Sequence, residues 1–112
     1  MNDTVDTKAE TRPAATLAEV IRRLRARETE IRALHATALH LFGSAARDEM
    51  TAASDIDLFI DYDDGGQMDF FKLCEIERIA MAATGRNVDL TTRAGLHDLL
   101  RERIEKSTVR IF

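Results

Sequence analysis

The chain has 112 residues, 45% of them hydrophobic and 32% charged, with a net charge of −4. That length fits one domain with one modest core. The acidic balance excludes an overall basic footprint, and 5% aromatics with no Trp disfavours base stacking, so direct nucleic-acid binding is not expected. No apolar run approaches the roughly 20 residues of a membrane span, the polar start MNDTVDTKAETRP lacks a signal-peptide core, and the single Cys74 cannot form an internal disulfide. A cytoplasmic protein with no membrane partner is the expectation.

Residues 1 to 13 are polar and small and read as a disordered tail; residues 14 to 112 read as a single domain. Thr16-Leu17-Ala18-Glu19 matches a capping box. Leu17, Val20, Ile21, Leu24, Ile31 and Leu34 then make one apolar stripe at helical spacing, with Arg22, Arg23, Arg25 and Arg32 mostly on a solvated face. Residues 37 to 42 are short and apolar and predict a buried strand ending at Gly43. Gly43 to Arg47 reads as a turn into a short helix. Asp55 to Tyr62 predicts a second strand, closed by the turn Asp63-Asp64-Gly65-Gly66. Met68 to Thr84 predicts a helix stopped by Gly85, with Cys74 in its core face. Arg86 to Thr91 suits a third strand. Leu96, Leu99, Leu100 and Ile104 give a last amphipathic helix, and Val109 to Phe112 a short edge strand. Strands alternating with helices predict an α/β layer structure.

Chemistry concentrates between Gly43 and Asp61. Side chains alternate along a strand, so Asp55 and Asp57 project to one side and Ile56, Leu58 and Ile60 to the other. Two carboxylates about 5 Å apart repel by roughly 3 kcal/mol at an effective dielectric near 20. Magnesium, a hard cation that prefers oxygen ligands, would relieve that repulsion, and a bridging pair can hold two such ions. Asp89 alternates with Val88 and Leu90; on a neighbouring strand it would add a third carboxylate, able to ligate metal and to accept the proton of an attacking hydroxyl. Gly43 allows close backbone approach to a phosphate, Ser44 offers a hydroxyl, and Arg47 offers a cation. Ser44 as a helix cap and Arg47 as a surface ion pair are the competing readings. Asp61 shares the parity of Asp57 but is placed past the site, in the turn. Asp63 and Asp64 read as loop residues. His35, His40 and His97 are too scattered for a zinc site.

Gly43-Ser44, ten intervening residues, Asp55-Ile56-Asp57 and a later strand-borne Asp89 together resemble the minimal nucleotidyltransferases of the DNA polymerase beta superfamily. The resemblance covers residues from about 37 to 112. It implies a mixed β-sheet with flanking helices in the nucleotidyltransferase fold, two magnesium ions on Asp55, Asp57 and Asp89, and ATP held by the Gly43-Ser44 turn with Arg47. Small members resemble antitoxins paired with an all-helical HEPN toxin, some of which transfer AMP to a toxin tyrosine. The implied activity is therefore protein adenylyltransfer onto a HEPN toxin partner. A stoichiometric antitoxin that masks its toxin, and a subunit acting on a small molecule or RNA end, are the alternatives. Many relatives read Gly-Ser-Arg-x-Arg-Gly; here Ala45 stands for the first arginine and Asp48 for the final glycine.

Overall fold

The structure, a computed structural model, describes residues 12–63, 65, 68–96 and 98–112, and the side chains of 98–100 are not among those described. Most of the expected tail therefore lies outside the described residues, as do Asp64, Gly66 and His97, and the apolar side chains of Leu99 and Leu100. The chain forms a four-stranded mixed sheet flanked by helices.

The capping signal at Thr16 starts α1 (Leu17–Arg25): the Thr16 hydroxyl accepts from the Glu19 amide at 3.2 Å, and the Glu19 carboxylate accepts from Ala15 N at 3.0 Å, one residue earlier than a capping box has it. The apolar stripe is shared between α1 and a second short helix, α2 (Glu28–Arg32). Between Leu24 and Ile31 the inward positions fall on Arg27 and Glu28, which keep their charges at the surface, and the helix breaks there. Arg22, Arg25 and Arg32 are exposed as expected, and Arg23 is not. Arg23 is buried and donates to the Arg12 carbonyl; Arg25 donates to Ile111 O at 2.8 Å and Arg32 to Thr37 O at 2.9 Å.

Next come β1 (Ala36–Phe42), the one-turn α3 (Gly43–Ala46) and β2 (Ile56–Tyr62). The helix α4 (Phe70–Thr84) begins where Asp69 accepts from the Lys72 amide at 2.8 Å and ends at Gly85, whose φ of +70° suits a residue without a Cβ. It carries the chain to β3 (Val88–Thr92), a 3₁₀ turn at Arg93–Gly95, α5 (Asp98–Lys106) and β4 (Val109–Arg110). The strand order is β3-β2-β1-β4, with β2 and β3 parallel and the other pairs antiparallel. A parallel neighbour needs a crossover, and α4 is that crossover.

One sheet face carries Leu39, Leu41, Ile56, Leu58, Ile60 and Val88, packed on Val20 and Leu24 of α1 and on Ile76, Ile79, Ala80 and Ala83 of α4. Cys74, expected in this core, is exposed: it sits two residues from Ile76 and so on another side of the helix. Phe70 and Phe71 also stand outside the core, 73% and 80% exposed and packed edge to face on each other. Among the described residues no helix is long and apolar enough to cross a membrane.

Candidate active site

The opposite sheet face begins at the carboxylates. Asp57 of β2 pairs directly with Asp89 of the parallel β3, and across β1 it faces Phe42. Asp55 lies one residue before β2, exposed, on a loop held by Arg86, whose guanidinium donates to Ser54 O at 2.8 Å and Thr51 O at 3.0 Å. Partial burial, the Asp89 charge and the Asp55 charge, in that order, push the Asp57 carboxyl above the usual carboxylate range. Among the described residues none of the three makes an ion pair. Nor is any group of three His, Cys, Asp or Glu side chains among them gathered closely enough to hold an ion as it stands. The donor set nonetheless has the chemistry a hard divalent cation requires: oxygen ligands only, mutually repelling, with no competing arginine.

Gly43 lies against this cluster. A Cβ there would stand 2.3 Å from Asp57 Oδ2, and the residue's φ is +72°. Both the backbone conformation and the close approach therefore require glycine. Ser44 does not cap α3, since Phe42 occupies the cap position and no side chain bonds there. Arg47 forms the surface ion pair, its Nε donating to Glu49 at 2.8 Å, and it lines a cavity of about 200 Å³ with Phe42, Gly43, Arg103, Ile104 and Ser107. Ala45 is fully buried and seals the turn onto the sheet. Asp48 adopts φ +57°, a left-handed conformation uncommon for a residue with a Cβ, and its carboxylate accepts from Leu17 N at 2.9 Å. A larger cavity, about 400 Å³, opens on the other side, beside Asp55, Met81, Arg86 and Asn87.

Asp61, expected in the turn, belongs to β2 and is bound into a separate network. Arg93 donates to its two carboxylate oxygens at 2.7 and 3.0 Å, and His40 Nε2 lies 2.9 Å from Oδ2. Arg93 also bridges to Glu105 of α5 and lies over the Phe59 ring, on which His40 stacks at 4.6 Å. Led by the Arg93 hydrogen bonds, this network holds the Asp61 carboxyl down at about 2.

The profile of the nucleotidyltransferase domain family matches residues 18–111. A Methanocaldococcus jannaschii protein provisionally named a protein adenylyltransferase is 33% identical over 98 residues, covering 86% of this chain and 98% of that protein. A second such protein from the same organism is 36% identical over 72 residues, 63% of this chain and 71% of its own. Among solved structures, one provisionally described as a minimal nucleotidyltransferase superposes with a TM-score of 0.64 at 26% identity, covering 80% of this chain and 93% of that one. A toxin–antitoxin structure with AMP-PNP shares the fold, with a TM-score of 0.63 at 19% identity over 79% of this chain and 72% of that one.

Proposed function

Because this chain belongs to the nucleotidyltransferase domain family, we propose that it transfers AMP from ATP to a hydroxyl of a partner protein, a tyrosine of a HEPN-type toxin. The observation that carries this reading is the in-register pairing of Asp57 with Asp89, with Gly43 backed directly against Asp57. The choice of a protein acceptor is supported by the adenylyltransferase name of the first relative and by the toxin–antitoxin fold neighbour.

Asp55, Asp57 and Asp89 would hold magnesium, which when bound neutralises charge on the phosphates. Asp89, exposed as Asp55 is and paired in register with Asp57, accepts the proton of the acceptor hydroxyl. The hydroxyl oxygen attacks the α-phosphorus, the bond to the bridging oxygen of the β-phosphate breaks, and pyrophosphate leaves. Gly43 and Ser44 bind the phosphates, and docking of the partner supplies proximity.

The test mixes the chain, ATP, magnesium and a candidate helical toxin and reads the intact mass of the toxin. An AMP-sized increment on a tyrosine, or a short AMP chain, is expected from the native chain. The Asp57→Asn variant should bind the toxin and leave it unmodified. A toxin that is neutralised by the native chain with no change of mass overturns the enzymatic reading and establishes masking.

A further inference from the structure

We propose that Arg103, contributed by α5, binds the pyrophosphate portion of the triphosphate over the Gly43 turn. This rests on the nucleotidyl-transfer reading and names a residue for it. Arg103 and Arg47 line the same cavity of about 200 Å³, whose other lining includes Phe42 and Gly43 at the end of β1. That volume is below the roughly 300–1,000 Å³ of pockets that enclose whole small-molecule ligands. It suits a diphosphate, with the nucleoside left outside.

Among the described side chains of α5, the other charges are accounted for. Arg101 donates to Ala94 O at 3.1 Å and Leu96 O at 3.3 Å, Glu105 pairs with Arg93, and Lys106 pairs with Glu102 at 3.1 Å. Arg103 is exposed and, among the described residues, is not engaged in an ion pair. Arg47, on the same cavity, is already drawn toward Glu49. The placement of α5 is not left to chance, because the Asp61–Arg93–Glu105 chain ties it to β2. A guanidinium on a helix so anchored can meet two phosphate oxygens at once, which an ammonium cannot do with the same geometry. It also supplies a cation to a turn in which Ala45 is buried and supplies none.

The experiment is calorimetry of the full chain with three probes in magnesium buffer: ATP, inorganic pyrophosphate and AMP. Arg103→Ala should weaken ATP and pyrophosphate by about tenfold or more, the loss expected for one charged hydrogen bond, and leave AMP unchanged. Arg103→Lys should fall between the two. Arg78→Ala, which removes the same charge from an exposed pair with Glu75 on α4, should match the native chain. Native binding that Arg103→Ala leaves unaltered overturns the assignment, also when that variant melts earlier, for then Arg103 only complements the end of its helix. A native chain that binds neither ATP nor pyrophosphate overturns the transfer reading along with it.

Discussion

Asp57 and Asp61 lie four residues apart on one strand and on one face of it, yet their surroundings push them in opposite directions. Asp57 meets Asp89 and Asp55 and is raised above the ordinary carboxylate range; Asp61 meets Arg93 and His40 and is held at about 2. The second end of the face is a completed network that needs nothing added. The first is an assembly of like charges that folding brings together without a counter-charge among the described residues. One end of the strand face is closed by its own ion pairs, and the other keeps its like charges unpaired among the described residues.

The largest expected effect comes from closing the open end with bulk. Gly43→Ala places a methyl group 2.3 Å from Asp57 Oδ2 in a backbone conformation that L residues disfavour. Either Asp57 or the turn must shift, and a displacement of about 1 Å at a reacting centre costs on the order of a hundredfold in rate. Nucleotidyl transfer measured with α-labelled ATP should fall accordingly, and a variant with native turnover would remove the turn from the site.

Opening the closed end is the second test. Arg93→Ala leaves Asp61 and Glu105 without their cation. Arg93 is 39% exposed, so the loss should be about 1–2 kcal/mol rather than the roughly 3–5 kcal/mol of a fully buried pair, read as a lower thermal midpoint. The acid limb gives a sharper check. A carboxyl depressed on folding stabilises the chain above its unfolded value, near 4, and that contribution fades as the pH falls through about 2. The native chain should therefore lose its advantage over Arg93→Ala between pH about 4 and 2. A constant difference across that range would mean that Arg93 acts through its packing on Phe59 and not through Asp61.

The limits of the sequence reading follow the same division. Elements marked by local signals lie close to where they are read: Asp69 and Gly85 bound α4, and strand alternation puts Asp57 opposite the core-facing Leu58. The shared register of Asp57 and Asp89 required only that the two strands be neighbours. The Asp61 network was not legible, because its cation arrives from a 3₁₀ turn 32 residues later and only tertiary packing selects it. Parity gives Asp61 the same strand face as Asp57 and says nothing of its partners. The cavity of Arg103 depends in the same way on α5 crossing to the end of β1. Cys74 shows the converse error: it is read in the core face of its helix and is exposed, because two residues of helix separate it from Ile76.

The smallest effect is also the most diagnostic, because its sign depends on conditions. A carboxyl raised on folding costs stability at neutral pH, and the cost vanishes once the pH falls below its unfolded value. Asp57→Asn removes that cost while keeping the shape of the side chain. Asp57 is only partly buried, so water screens much of the repulsion from Asp89 and Asp55, and the gain should be under about 1 kcal/mol. In metal-free buffer at pH 7 the variant should melt slightly above the native chain, and at pH 3 the two should coincide. Adding magnesium and ATP should reverse the order, since a ligand bound by the native fold stabilises it in proportion to occupancy and the variant cannot recruit it as well. Thermal melts at two pH values, with and without magnesium-ATP, contain the whole test. A variant that melts well below the native chain in metal-free buffer at pH 7 would make Asp57 a structural residue like Asp61, and the contrast between the two ends of the strand would collapse.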